Sequence, residues 1–161
     1  MTDLDDPQIN ALIFYPRRAQ PGSSRLDGAR DGTIPTGDGA ELGYRLYRHA
    51  PHAPVVVLFH GNGEIAPDYD GIAPLYAERS LSLLVVDYRG YGWSSGVPRL
   101  SALLPDALAV YEALPGLLAG AGVQPDAPLC VMGRSLGSAP AIHLAREVGG
   151  AFAGLIVESG F

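Results

Sequence analysis

Four short, nearly continuous apolar runs, at residues 55–59, 81–86, 129–132 and 155–157, set the terms for what this chain can fold into. Strands that are apolar on both faces are buried on both faces, the pattern of a parallel sheet covered by helices. The stretches between them, 72–79 with its flanks, 100–118 and 136–148, are long enough for crossover helices. Strand and helix alternate through all seven segments. This predicts an α/β fold, an open, mainly parallel, twisted sheet with helices on both faces and right-handed crossovers. Ahead of that core, Leu42, Tyr44 and Leu46 alternate with other residues over 40–47. They predict a half-exposed antiparallel strand, paired with 33–35 across Gly37-Asp38-Gly39. Residues 1–32 read as an extended N-terminal segment with turns and no functional role, which leaves 33–161 as the folded domain.

At 161 residues there is room for one domain with a real core. The formal charge of -6 gives no basic footprint, so nucleic acid and anionic membrane surfaces are poor partners and a small neutral or cationic ligand fits better. A single cysteine, Cys130, lies in an apolar run and reads as a small buried hydrophobe, with no internal disulfide available to it. With an acidic start and no apolar stretch of signal-peptide length, the expected location is cytoplasmic. Asp87, Arg134 and several glycines break up the longest apolar runs, so no membrane span is expected.

In open α/β sheets the ligand crevice lies beyond the carboxyl ends of the strands. The residues there are His60-Gly61-Asn62-Gly63-Glu64, Asp87-Tyr88-Arg89-Gly90-Tyr91-Gly92, Gly133-Arg134-Ser135-Leu136-Gly137 and Glu158-Ser159-Gly160. The third fits G-x-S-x-G between a strand and a helix, the context that gives this motif meaning. A nucleophile on a sharp, strained turn needs flanking residues without side chains, so that strand and helix can approach each other. Ser135 is thereby lifted toward solvent, and the helix beginning at Leu136 turns its free N–H groups and positive end toward it. The expected oxyanion donors are the amides of Leu136 and Asn62, with Gly63 as the alternative to Asn62.

His60-Gly61-Asn62-Gly63, Asp87 to Ser94 and Gly133-Arg134-Ser135-Leu136-Gly137-Ser138 together resemble the α/β-hydrolase superfamily, nearest its serine aminopeptidase-like and acyl-thioesterase-like branches, over about residues 33–161. The resemblance implies hydrolysis of an ester, thioester or amide through an acyl-Ser135 intermediate, with no metal or organic cofactor. It implies that residues 87–94 shape the pocket near the oxyanion side with Arg89 structural. It also implies a Ser, acid, His order in which both partners follow the nucleophile.

Only 26 residues follow Ser135. His143, eight positions along the predicted helix, is about 12 Å farther along its axis. His60 orders its loop, and His49 and His52 precede the core strands, so no histidine serves as base. Glu158 is read as a structural carboxylate in preference to a triad acid. The expectation is therefore the N-terminal portion of a hydrolase domain, nearly inactive alone, its last strand an apolar edge through which it self-associates. Two rivals remain. One is a non-catalytic binding protein of the same fold. The other is a Rossmann-type dinucleotide-binding domain, since Gly61-Asn62-Gly63-Glu64-Ile65-Ala66 fits G-x-G-x-x-A. Against the latter stand His60 before the glycines, Pro67 at the helix start and more than fifty residues before the first strand. Tyr88, Tyr91 and Trp93 read as packing aromatics, and Arg134 as one half of an ion pair.

Overall fold

A five-residue segment of Val, Leu and Phe has no face to offer water, so the apolar runs become the middle of a sheet. In the computed structural model, which describes residues 5–24 and 26–160, six strands form one sheet. They are β1 (Ala29–Pro35), β2 (Glu41–Tyr47), β3 (Val55–Phe59), β4 (Ser82–Val86), β5 (Leu129–Arg134) and β6 (Gly154–Glu158), in the order β1-β2-β4-β3-β5-β6. Strands β3 to β6 are parallel to their neighbours in that group, and β2 and β1 are antiparallel additions at one edge. Every residue of β3 and β4 is buried.

Alternation along the strands divides the core in two. Val55, Val57, Phe59, Leu84, Val86 and Val131 face α3 (Leu100–Gly120) and α4 (Ser138–Val148). Val56, Leu58, Leu83, Val85 and Met132 face Tyr69, in a 3-10 turn (Ala66–Gly71), and α2 (Ala73–Ala77). Helices on both faces of a mostly parallel sheet are thus present as the apolar runs predict. By length and composition α3 is apolar enough to cross a bilayer. Here it is a core helix: seven of its residues are buried, and its Asp106 is paired with Arg89.

Two features differ from the sequence expectation. The hairpin forms as predicted, with Thr33, Ile34 and Pro35 opposite Gly43, Leu42 and Glu41, but β1 already begins at Ala29. Strand β2 is also buried on both faces instead of one. The reason is Arg45, whose guanidinium is fully buried between Asp31 (2.6 and 2.7 Å), Asp70 (3.1 Å) and Ser23 (3.1 Å), against the Trp93 ring. A polar residue at an outward position reads as exposure, yet a fully partnered arginine can be covered. In addition, a helix α1 (Pro7–Ile13) forms near the start, with Pro7 in its first turn and the Asp6 carboxylate accepting from the Gln8 and Ile9 amides.

Arg89 fastens the hairpin turn to α3 by bidentate pairs with both Asp106 (2.6 and 2.7 Å) and Asp38 (2.7 and 2.9 Å). Hydrogen bonds from Arg89 and from the Thr36 hydroxyl hold the Asp38 carboxyl well below the usual carboxylate range. Because this folded pKa is depressed, its contribution to stability is present above the unfolded value of about 3.9 and is lost as pH falls below it. In acid titrations followed by circular dichroism, Asp38→Asn should therefore flatten the loss of stability below about pH 4. Removing the buried cation strands Asp106, so Arg89→Met should cost about 3 kcal/mol in urea unfolding at neutral pH.

Strand β6 pairs with β5 alone, and Leu155, Ile156 and Val157 are 43, 45 and 44% exposed. An open apolar edge of this kind is a template for further pairing. Sedimentation velocity is expected to show self-association that Ile156→Lys suppresses. A wild-type chain that stays monomeric at high micromolar concentration would contradict this.

Candidate active site

Strand β5 passes without a loop into a 3-10 turn (Ser135–Gly137) that opens α4. Ser135 sits at the corner with φ 50°, in the left-handed region that non-glycine residues seldom occupy. Such a conformation costs on the order of 1–3 kcal/mol and persists only where the surroundings enforce it. The enforcing contacts are backbone on backbone. A Cβ on Gly133 would lie 2.6 Å from the Gly137 carbonyl carbon and 2.7 Å from the Ser138 Cα. One on Gly137 would lie 2.5 Å from the Phe59 carbonyl carbon and 2.9 Å from the His60 oxygen. The two motif glycines thus let the elbow close on itself and on the end of β3. Ser135 remains partly exposed while Leu136, Gly137 and Ser138 are buried, and the Ser138 hydroxyl donates to the Ser135 carbonyl at 2.5 Å. Leu136 lies in the first turn, where N–H groups have no intrahelical acceptor.

The loop after β3 is held from below. The His60 ring is fully buried, with Nδ1 2.8 Å from the Gly61 carbonyl oxygen and Nε2 3.1 Å from Asp87 Oδ1. A carbonyl only accepts, so Nδ1 carries a proton. The ring is spent on ordering its loop, as the sequence predicts. Asp87 Oδ1 also accepts from the Ala66 amide, and the Tyr88 hydroxyl donates to the His60 carbonyl at 2.6 Å. Burial pushes the Tyr88 phenol well above its ordinary value, so it stays a donor.

Within the loop, the Glu64 amide donates to the Gly61 carbonyl at 3.1 Å, closing a tight turn in which Gly63 has φ 79°. The Gly61 N–H donates to Glu64 Oε2 at 2.8 Å. Burial raises the Tyr91 phenol, and the Tyr15 and Gly63 amides directed at its oxygen partly offset this. Of the amides of residues 61–64, those of Gly61 and Glu64 are hydrogen-bonded within the loop, while neither that of Asn62 nor that of Gly63 has an acceptor at hydrogen-bond geometry among the described residues. The contact of Gly137 with Phe59 and His60 thus sets the elbow that carries Ser135 and Leu136 against the start of the loop that carries Asn62.

Arg134, next to Ser135, spans the mouth. It pairs with Glu64 through Nη1 and with Glu158 through Nε (3.3 Å), and Glu64 also accepts from the Tyr69 hydroxyl at 2.8 Å. Both Arg134 and Glu158 thus have the structural partners expected of them. None of the four histidines bonds to Ser135: His60 is enclosed, His52 faces Asp126 at 2.9 Å, His49 is exposed, and His143 is on α4. The segment given no role from the sequence is in contact with the site. The Tyr15 amide donates to Asn62 Oδ1 (3.0 Å) and to the Tyr91 hydroxyl (2.9 Å), and Arg17 reaches the Gly63 carbonyl at 3.1 Å. These bonds join residues more than forty positions apart, partly through a backbone N–H that every residue type except proline offers, so no motif could announce them.

A family model described as serine aminopeptidase, S33, matches residues 50–161. The chain belongs to this family, within the α/β-hydrolases. An uncharacterised protein of Mycobacterium tuberculosis is 34% identical over 142 residues, which is 86% of this chain and 49% of that protein. Among solved structures, an esterase of Pyrococcus furiosus superposes with a TM-score of 0.71 at 20% identity, covering 90% of this chain and 57% of that one. The thioesterase domain from the curacin biosynthetic pathway does so with a TM-score of 0.62 at 21% identity, covering 79% and 43%. The chain spans about half the length of these proteins. In this hydrolase fold Gly61-Asn62-Gly63 leads into a six-residue 3-10 turn, not the long phosphate-binding helix that the dinucleotide reading needs.

Because the Gly137 contact is with main chain that cannot yield, Gly137→Ala should destabilise by about 3 kcal/mol or prevent folding. Gly116→Ala in α3, where a Cβ meets nothing within 4 Å, should stabilise by about 0.5–1 kcal/mol. Parallel urea titrations of the two variants check both signs.

Proposed function

We propose that Ser135 is the nucleophile of a hydrolase of carboxylic esters, thioesters or amides. The Asn62 and Leu136 amides receive the oxyanion in this reading. The observation that carries it is the left-handed turn at Ser135, wedged by two glycines against the end of β3, where the loop with the Asn62 amide begins. Family membership and the esterase and thioesterase folds support the reaction class. In the reaction Ser135 Oγ bonds to the acyl carbon as its proton passes to a base and the leaving group departs. Water then releases the acid. These 161 residues bring no histidine to the hydroxyl, so alone they retain only the part of the rate that binding and oxyanion stabilisation supply, about 10³–10⁴ over water.

The lack of a base is also what a non-catalytic binding protein would present, and added imidazole separates the two readings. With p-nitrophenyl acetate, imidazole should accelerate acylation of the wild-type chain by about tenfold over Ser135→Ala, less than the about 10²–10⁴ of a positioned base. Equal rates in the two proteins, with imidazole present, would favour the binding protein. Fast turnover without imidazole, lost in Ser135→Ala, would mean that a base is already in place.

A further inference from the structure

The Asn62 carboxamide is occupied on both sides. Its Oδ1 accepts from the Tyr15 amide at 3.0 Å and from the Tyr91 hydroxyl at 2.7 Å, while Nδ2 donates to the Ile13 carbonyl. Both acceptor positions of the oxygen are therefore filled and one N–H is used. A side chain so engaged is not free to meet a substrate, but it fixes the backbone that bears it. The partners are themselves anchored. The Phe14 side chain is buried in the core that also holds Leu136 and Tyr91. The Arg17 carbonyl accepts from the Gly92 amide at 2.8 Å, the Ala19 amide donates to the Gly92 carbonyl at 3.0 Å, and Arg18 bonds to the Ser94 carbonyl at 2.6 Å. Residues 13–19 thus form a strap stitched to the loop after β4 on one side and to the loop after β3 on the other.

We propose that Tyr91 and the backbone of Ile13 and Tyr15 are positioning residues for the Ser135 site, clamping the Asn62 carboxamide so that the Asn62 N–H stands ready for the oxyanion. The inference rests on the reading of Ser135 and its oxyanion donors given above. It makes the N-terminal strap a part of the catalytic apparatus. Oxyanion stabilisation is effective when donors are already oriented and nothing need reorganise as charge develops. The Gly61 carbonyl, which shares a planar peptide with the Asn62 N–H, is held by the Glu64 amide and by His60 Nδ1, and the clamp adds a second hold on the other side of that N–H, at the Asn62 side chain.

The test uses the full chain carrying a diisopropyl phosphoryl group on Ser135. Diisopropyl fluorophosphate installs it in the presence of imidazole: Oγ bonds to phosphorus, fluoride leaves, and imidazole takes the proton. The phosphoryl oxygen then occupies the oxyanion position, and the ³¹P resonance reports its hydrogen bonds. The wild-type adduct should resonate away from its urea-denatured position. Tyr15→Pro removes the one N–H that reaches both Asn62 and Tyr91, and Phe14 before it is already extended (φ -99°, ψ 135°) as a residue preceding proline must be. Tyr15→Pro and Tyr91→Phe should each move the resonance at least half-way to the denatured position, while Tyr15→Phe, which keeps the N–H, leaves it in place. Far-UV circular dichroism verifies folding, and Tyr91→Phe carries the test if the proline variant does not fold. A displaced wild-type resonance that stays unchanged in the folded variants overturns the clamp alone. A wild-type resonance already at the denatured position overturns the oxyanion reading and the clamp with it.

Discussion

The structure around the site depends on a contact between two stretches of main chain, where Gly137 lies against the carbonyls of Phe59 and His60. That contact makes the end of β5 and the end of β3 a single unit. Side chains at such a place can repack around a neighbour, but a peptide group cannot shrink, so the spacing admits glycine alone. The left-handed conformation of Ser135 follows from it. Strand β5 must reverse within three residues to bring α4 onto the sheet, and the residue at the corner takes up the strain. The partial exposure of Ser135 is a consequence of chain direction, since Leu136, Gly137 and Ser138 after it turn into the core while Arg134 before it stays at the surface.

Beneath this contact lies a buried polar frame. His60, Asp87, Tyr88 and the Ala66 amide join the loops after β3 and β4 in the interior, at full burial of both the ring and the carboxylate. One Asp87 oxygen has no partner, so the frame is not fully satisfied and contributes more to fixing geometry than to stability. At the surface Arg134 ties Glu64 to Glu158, and so links the loop after β3 to the end of β6 through the residue beside Ser135. Four strand ends are thereby held to one another by contacts of different kinds, main-chain packing, buried hydrogen bonds and a half-exposed ion pair.

How much of this was legible in the sequence follows from the range of each interaction. The strands at 55–59, 82–86 and 129–134, and the helices after them, declare themselves because burial on two faces leaves a continuous apolar run. The elbow declares itself because its steric demand falls on residues two positions either side of Ser135. Helix α1 did not, since its seven residues include only three large apolar side chains and sit in a stretch read for its turns. The burial of Arg45 was hidden because its partners, Asp31 and Asp70, lie on other elements. The clamp on Asn62 was hidden for a deeper reason: three of its four bonds use backbone groups of Ile13 and Tyr15, which carry no compositional mark.

On the proposed reading of Ser135, the two halves of a serine hydrolase's task place different demands on structure, and the groups proposed as donors serve one of them. Oxyanion donors act through fixed position, so they belong on parts of the fold that are strained, buried and tied to several elements. The amides of Asn62 and Leu136, the donors in that reading, lie in a turn whose Asn62 side chain is fully engaged and in the 3-10 turn that opens α4. A general base has only to reach the hydroxyl at the right protonation state, and its contribution of about 10²–10⁴ is separable from the donors. On that reading the sheet from β1 to β6 is a framework for orientation and charge stabilisation, the portion of catalysis that survives when members of a triad are removed.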